Sequence, residues 1–231
     1  MTFKFKHFEI QQDVNAHKVG TDSMLLGALA KGNFSRILDI GTGTGVLALM
    51  AAQNHPGATI TAIEPDLPSF EEGKSNFEKS SFSDRIHPVN STLQYFGSME
   101  CFDLIISNPP YFLNSSLSED PDRNRARHAN DLPIYELYEC VADLLAEDGE
   151  FHVIIPYDLE TPHVKRAFDN DLYVKKVVHL MSPNGSVKRS ILVFSELEVD
   201  PEITEFQIRD DQGNYTAEYK ELTKEFHGVE L

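Results

Sequence analysis

Basic residues are scarce in this chain. Lys and Arg number 20 against 37 Asp and Glu, a formal net charge of −17. That excess argues against indiscriminate binding to a polyanion, while a local basic patch still suffices for a specific contact. Cysteine is nearly missing. Cys101 and Cys140 stand alone in apolar segments, and no Cys-x-x-Cys pair occurs. A disulfide framework is therefore excluded, no metal is expected, and the two thiols suit a cytoplasmic setting. No apolar run approaches the ~18 residues of a membrane-spanning helix. Met1 to His7 alternates Phe with Lys and His instead of forming the continuous apolar region of a signal peptide. What remains is 231 residues, 41% hydrophobic and 25% charged, ordinary globular material for one domain.

Periodicity gives that domain its class. Strands are expected at Arg36–Ile40, Thr59–Ile63, Ile86–Val89, 102–106 and 151–155. Helices are expected at Val46–Asn54, Leu67–Lys79, 134–145 and 162–168. Strand–helix alternation at this spacing means βαβ units, a parallel sheet and right-handed crossovers. Segments 172–181 and 190–197 flank Ser182-Pro183-Asn184-Gly185 and read as an antiparallel hairpin at a sheet edge. Ahead of the glycine-bearing strand, 3–10 reads as an edge strand or hairpin arm. Residues 24–30 read as a helix that Thr21 or Asp22 can cap. A short strand at 202–208 and a helix at 216–226 close the chain. The expected organisation is one domain over 1–231: a covering segment 1–35, a core 36–198 and a C-terminal extension 199–231.

The stretch that decides the chemistry is Asp103-Leu104-Ile105-Ile106-Ser107-Asn108-Pro109-Pro110-Tyr111. Two prolines cannot continue a central strand, because neither has an N–H for the ladder. The chain thus stops pairing at Asn108 and presents a stiff loop at the strand's carboxyl end. In open parallel sheets that is where ligands bind. An amide, a fixed backbone carbonyl and an aromatic ring stand together there.

A second constellation lies earlier. Asp39-Ile40-Gly41-Thr42-Gly43-Thr44-Gly45 joins a strand to a helix. A dinucleotide fingerprint would want glycine where Val46 stands, and no Gly-Lys-Ser/Thr follows for a phosphate loop. Gly41, Gly43 and Gly45 let the backbone approach a ligand. Asp39 suits a cationic amino group better than a phosphate. Glu64, at the end of the next strand, can accept both hydrogen bonds of a ribose diol. A nucleoside with an amino-acid tail and no phosphate fits this set, and S-adenosylmethionine (SAM) is such a molecule.

Asp39 to Gly45, Glu64 and Asn108 to Tyr111 resemble the class I SAM-dependent methyltransferases that modify amino nitrogens. Lys18-Val19-Gly20-Thr21-Asp22, the 103–111 run and Arg125-Ala126-Arg127-His128 together resemble the tRNA1(Val) adenine-37 N6-methyltransferase family. The resemblance reaches to about Phe194. It implies a seven-stranded Rossmann-like sheet, mostly parallel, with the last strand antiparallel. It implies Asn108, Pro109, Pro110 and Tyr111 as the catalytic loop, and Lys18, Gly20, Thr21 and Asp22 as a segment over the cofactor's methionine end. Many relatives carry an acid after the third strand, facing the adenine of the cofactor. This chain has Val89-Asn90-Ser91, so Asn90 or Ser91 would make that contact.

The expected activity is methylation of the exocyclic N6 of an adenine in tRNA, A37 of tRNA1(Val) by the resemblance. The same four-residue motif also serves N5-methylation of a protein glutamine amide. Those enzymes usually carry an extra helical substrate domain, and 35 residues precede Arg36 here. A module that holds SAM or RNA without turnover is the third reading. Arg123, Arg125, Arg127 and His128 form the basic group closest after the motif and are the expected RNA-binding residues. The expected partner is tRNA, with no DNA, no membrane and no obligate protein partner.

Overall fold

Short apolar runs separated by helices fold as the alternation requires. The structure is a computed structural model and describes residues 1–13, 19–98, 100–109 and 132–228. In chain order the elements are β1 (Thr2–Lys4), β2 (Glu9–Gln11), α1 (Thr21–Leu29), β3 (Arg36–Ile40), α2 (Val46–Asn54), β4 (Thr59–Ile63), α3 (Leu67–Lys79) and β5 (Ile86–Val89). Then come β6 (Phe102–Ser107), α4 (Ile134–Leu144), β7 (Leu145–Pro156), α5 (Glu160–Phe168), β8 (Tyr173–Met181), β9 (Val187–Ser195), β10 (Glu202–Gln207) and α6 (Ala217–Thr223).

β1 and β2 form their own antiparallel hairpin. The other eight strands make one sheet in the order β10-β8-β9-β7-β6-β3-β4-β5. β3 is central. The chain moves outward from it through β4 to β5, then returns to β6 on its other side, with all these pairs parallel. This reversal opens a crevice at the carboxyl ends of β3 and β6. Side chains alternate across the sheet. Ile37, Leu104 and Ile106 enter a core with α1 and α2. Leu38, Ile40 and Ile105 enter a second core with α4 on the opposite face. Helices thus cover both faces, which is why the central strands read as continuous apolar runs.

Three expectations need correction. The main sheet has eight strands rather than seven. The hairpin is β8–β9, and β9 is antiparallel to both β7 and β8. It is not an edge, because β10 adds outside β8 in parallel register. Third, the N-cap of α1 is Gly20, with no side-chain cap bond, and Thr21 and Asp22 lie inside the first turn. No helix of the described residues is long and apolar enough to cross a membrane.

Candidate active site at the carboxyl edge

The turn after β3 is dictated by its glycines. Gly41, Gly43 and Gly45 all have positive φ, 70°, 54° and 87°, a region that favours residues without a Cβ. A Cβ on Gly45 would come within 2.3 Å of the Phe77 ring, so α3 packs directly on this turn. A Cβ on Gly41 would meet nothing within 4 Å. One end of the turn is therefore sealed by packing and the other opens onto space. The Gly41 and Thr42 N–H groups both donate to the Ile63 carbonyl, tying the turn to the end of β4.

Asp39 and Glu64 stand beneath this turn. Asp39 is fully buried. Its Oδ2 accepts from Thr42 Oγ1 at 2.6 Å and from the Ala48 N–H at 3.0 Å. Its Oδ1 is buried with no partner. Burial pushes its pKa up to about 7; the bonds from Thr42 and Ala48 oppose this, and the charge of Glu64 adds to it. Glu64 accepts the Gly43 N–H on Oε2 at 2.9 Å and the Asp66 N–H on Oε1 at 3.0 Å. Burial raises its pKa too, against those two bonds. A carboxylate offers about four lone-pair sites, so Glu64 retains capacity for two further donors. Among the described residues no lysine or arginine bonds to either acid. This donor set fits a ligand with a cationic group and hydroxyls, and does not fit a phosphate. The orphaned Asp39 oxygen is the clearest sign of a missing donor. Asn90 Nδ2 donates to the carbonyls of Glu64 (2.8 Å) and Pro65 (3.2 Å). Ser91 Oγ donates to the Thr92 carbonyl. Both residues thus lie at the end of β5, beside the Glu64 strand end.

Across the crevice, Ser107 Oγ donates to the Ile40 carbonyl at 3.1 Å and fastens the end of β6 to that of β3. Asn108 follows, half-buried, and its Nδ2 donates to Ser23 Oγ at 2.9 Å. Ser23 is buried on α1. One residue earlier, Asp22 Oδ2 accepts from Arg189 Nε at 3.0 Å, on β9. The start of α1 is thereby pinned at two points over the carboxyl edge. Sequence reasoning had no signal for Ser23 or Arg189, since each meets its partner only through the fold. Gly20 and Thr21 open α1, and Pro109 continues from Asn108. Lys18, Pro110, Tyr111, Arg123, Arg125, Arg127 and His128 lie outside the described residues. The described candidates from both constellations come together at one edge.

The methyltransferase small domain family matches residues 15–177. The tRNA1(Val) (adenine(37)-N6)-methyltransferase of Flavobacterium johnsoniae is 41% identical over 231 residues, covering 97% of this chain and 98% of that one. The protein of the same name from Bacteroides thetaiotaomicron is 39% identical over 228 residues, covering 97% and 96%. Among solved structures, one described as a predicted O-methyltransferase from Agrobacterium tumefaciens superposes with a TM-score of 0.69 at 16% identity, covering 89% of this chain and 96% of that one. A ribosomal protein L11 methylase from Lactobacillus delbrueckii subsp. bulgaricus gives 0.54 at 18% identity, covering 76% and 77%. At these identities the structures speak for the fold alone.

Proposed function

The chain belongs to the tRNA1(Val) (adenine(37)-N6)-methyltransferase family, built on the methyltransferase small domain, and on that premise we propose that it methylates N6 of adenine 37 in tRNA1(Val). SAM, when bound, supplies an electrophilic methyl group on a sulfonium. Asp39 serves its amino-acid end, through the ordered Thr42 turn and the oxygen that lacks a donor. Glu64 takes the ribose hydroxyls, and Asn90 or Ser91 the adenine. Gly20, Thr21 and Asp22, with Lys18 ahead of them, form the wall over the methionine end.

The acceptor nitrogen is a poor nucleophile because its lone pair is delocalised into the ring. The Asn108 side-chain oxygen and the Pro109 carbonyl each accept one of its N–H bonds. That turns the lone pair out of conjugation and towards the methyl carbon. With SAM bound, its methyl would pass to that nitrogen as the sulfonium sulfur leaves as a neutral thioether, and the methylated nitrogen would release its proton to water. Rate comes from positioning and from dipoles aimed at developing positive charge. No strong base is needed. Pro110 stiffens the loop, and Tyr111 stacks on the extruded base. Arg123, Arg125, Arg127 and His128 hold backbone phosphates beside it. The substrate places this work in the cytoplasm.

The observation that carries the chemistry is the bond from Asn108 Nδ2 to Ser23. It engages the amide nitrogen with the protein and supports the accepting role proposed for the oxygen. The test is methyl-labelled SAM added to the enzyme with total cellular RNA and protein. The expected product is N6-methyladenosine in tRNA. Arg125→Glu with Arg127→Glu should abolish labelling while sparing SAM binding. Label in protein with none in RNA would transfer the assignment to a glutamine amide.

A further inference from the structure

Beyond Asn108 the carboxyl edge continues along β7 and β9, and an ordered polar and aromatic cluster stands there that the chemistry above does not use. Tyr157 follows the last residue of β7 and is 45% exposed. Its ring meets His179 perpendicularly, with centroids 5.3 Å apart and planes at 89°. His179 Nε2 bonds to Glu160 Oε2 at 2.9 Å, and the Ser190 hydroxyl donates to the same oxygen. His179 and Ser190 are directly paired across β8 and β9. Three residues from three elements therefore hold an aromatic ring that stays 45% exposed. An exposed tyrosine with no role has no need of such support. Tyr95 is the contrast: it is 86% exposed, stands beyond β5 at the far end of the sheet, and touches no other ring among the described residues.

Charge completes the cluster. Pro156 pairs with Arg189, the last pair of that ladder, and Tyr157 and Lys188 are the residues next beyond it, Tyr157 opening a 3-10 turn. Lys188 is exposed. Lys175 and Lys176 are taken up by Glu150 and Glu202, whereas among the described residues Lys188 has no carboxylate partner. In a chain of net charge −17, a lysine without an acid beside a supported aromatic face is a local departure from the general repulsion of polyanions. Position fits as well. Ser107 pairs with Val153. Ile154 is thus level with Asn108, and Tyr157 lies one strand across and three residues further along, at most roughly 11 Å away by strand rise and spacing.

We propose that Tyr157 and Lys188 form a subsite for a nucleotide flanking the target adenine, its base stacked on the Tyr157 ring and its phosphate on Lys188. The subsite rests on the tRNA reading above. Extruding the target leaves its neighbours unstacked, and a ring held at this distance recovers the lost stacking without selecting a base. The same edge is continuous with the site: Arg189, adjacent to both Lys188 and Ser190, holds Asp22, the neighbour of Ser23.

The test measures tRNA binding separately from turnover. Tyr157→Ala should raise KM for a tRNA1(Val) transcript about tenfold, with kcat and SAM affinity unchanged. Tyr157→Phe keeps the aromatic face and should restore KM to near wild type. Lys188→Gln should weaken tRNA binding and flatten its salt dependence by about one counterion. The chain contains no tryptophan, so Tyr157→Trp places a single indole at the subsite, and the transcript should quench its fluorescence. An unquenched indole overturns the proposal. So does an unchanged KM in Tyr157→Ala, or a fall in kcat alone. A wild-type enzyme that methylates no tRNA overturns the functional reading itself, and the subsite with it. A wild type that does so while Tyr157→Ala matches it overturns only the subsite.

Discussion

On the cofactor side of β3 the polar contacts are short in sequence. Thr42 and Ala48 reach Asp39 across 3 and 9 residues, and Gly43 reaches Glu64 across 21. On the acceptor side, Asn108 reaches Ser23 across 85 residues and Arg189 reaches Asp22 across 167. The Asp39–Glu64 part of the proposed cofactor site is thus preassembled by one βαβ unit. The acceptor half exists only once α1, β6 and β9 have all docked. Chemistry and cofactor binding should therefore fail separately.

The largest expected effect tests the acceptor half. Asn108→Ala should cut single-turnover methylation at least ~100-fold and leave SAM affinity nearly intact, as lost transition-state positioning does. Ser23→Ala should move in the same direction by about tenfold, the size of one hydrogen bond, and Ser23→Thr should recover most of it. If Ser23→Ala weakens SAM binding as much as it slows transfer, the two halves are not separable.

Next is the cofactor half. Glu64→Ala should weaken SAM binding by ~1.5–3 kcal/mol, the size of hydrogen bonds to a charged group. Titration calorimetry on the folded variant would show it, and unchanged affinity would remove Glu64 from the ribose.

The smallest effect is on stability. Asp39 has an ordinary value of 3.8 and burial raises it to about 7. Between those values the folded chain holds a proton that the unfolded chain has lost. The stabilisation is complete below about pH 4 and is lost as pH rises through about 7, with a slope of up to about 1.4 kcal/mol per pH unit. Urea unfolding of the ligand-free protein between pH 5 and 8 should show that decline. Asp39→Asn should flatten it while keeping an oxygen for Thr42 and Ala48. An equally steep decline in the variant would locate the proton elsewhere.

The same contrast of near and far contacts decides what was legible in the sequence. β3, α2, β4, α3 and β5 have the bounds their apolar periods predict, because each is set by its own residues and by turns at Gly41 to Gly45 and Pro56-Gly57. The glycine turn, Glu64 and Asn108 were readable as contiguous motifs whose order in the chain matches their order along the edge. β7 was harder. It begins at Leu145, six residues before the apolar run at Phe151, and its exposed Glu147, Asp148 and Gly149 read as a turn. The strand at 202–207 was legible, but not its parallel pairing with β8, since nothing local names a strand's neighbour. Ser23, Arg189 and Tyr157 carry no motif at all. Each becomes a candidate only by standing beside a residue brought from another part of the chain.

β10 has a consequence for how the molecule behaves in a crowded cell. As the outermost strand it turns a row of backbone donors and acceptors towards its surroundings, a template on which a second copy would add. Ile203 on that strand is 62% exposed and would welcome such an addition. Glu202 and Glu205 flank it, both exposed. Lys176 already pairs with Glu202, so it is Glu205, with the −17 that each body carries, that would oppose antiparallel addition of an identical strand. The acidic excess that argues against indiscriminate binding to RNA also, at this far edge, opposes the growth of copies into one continuous sheet.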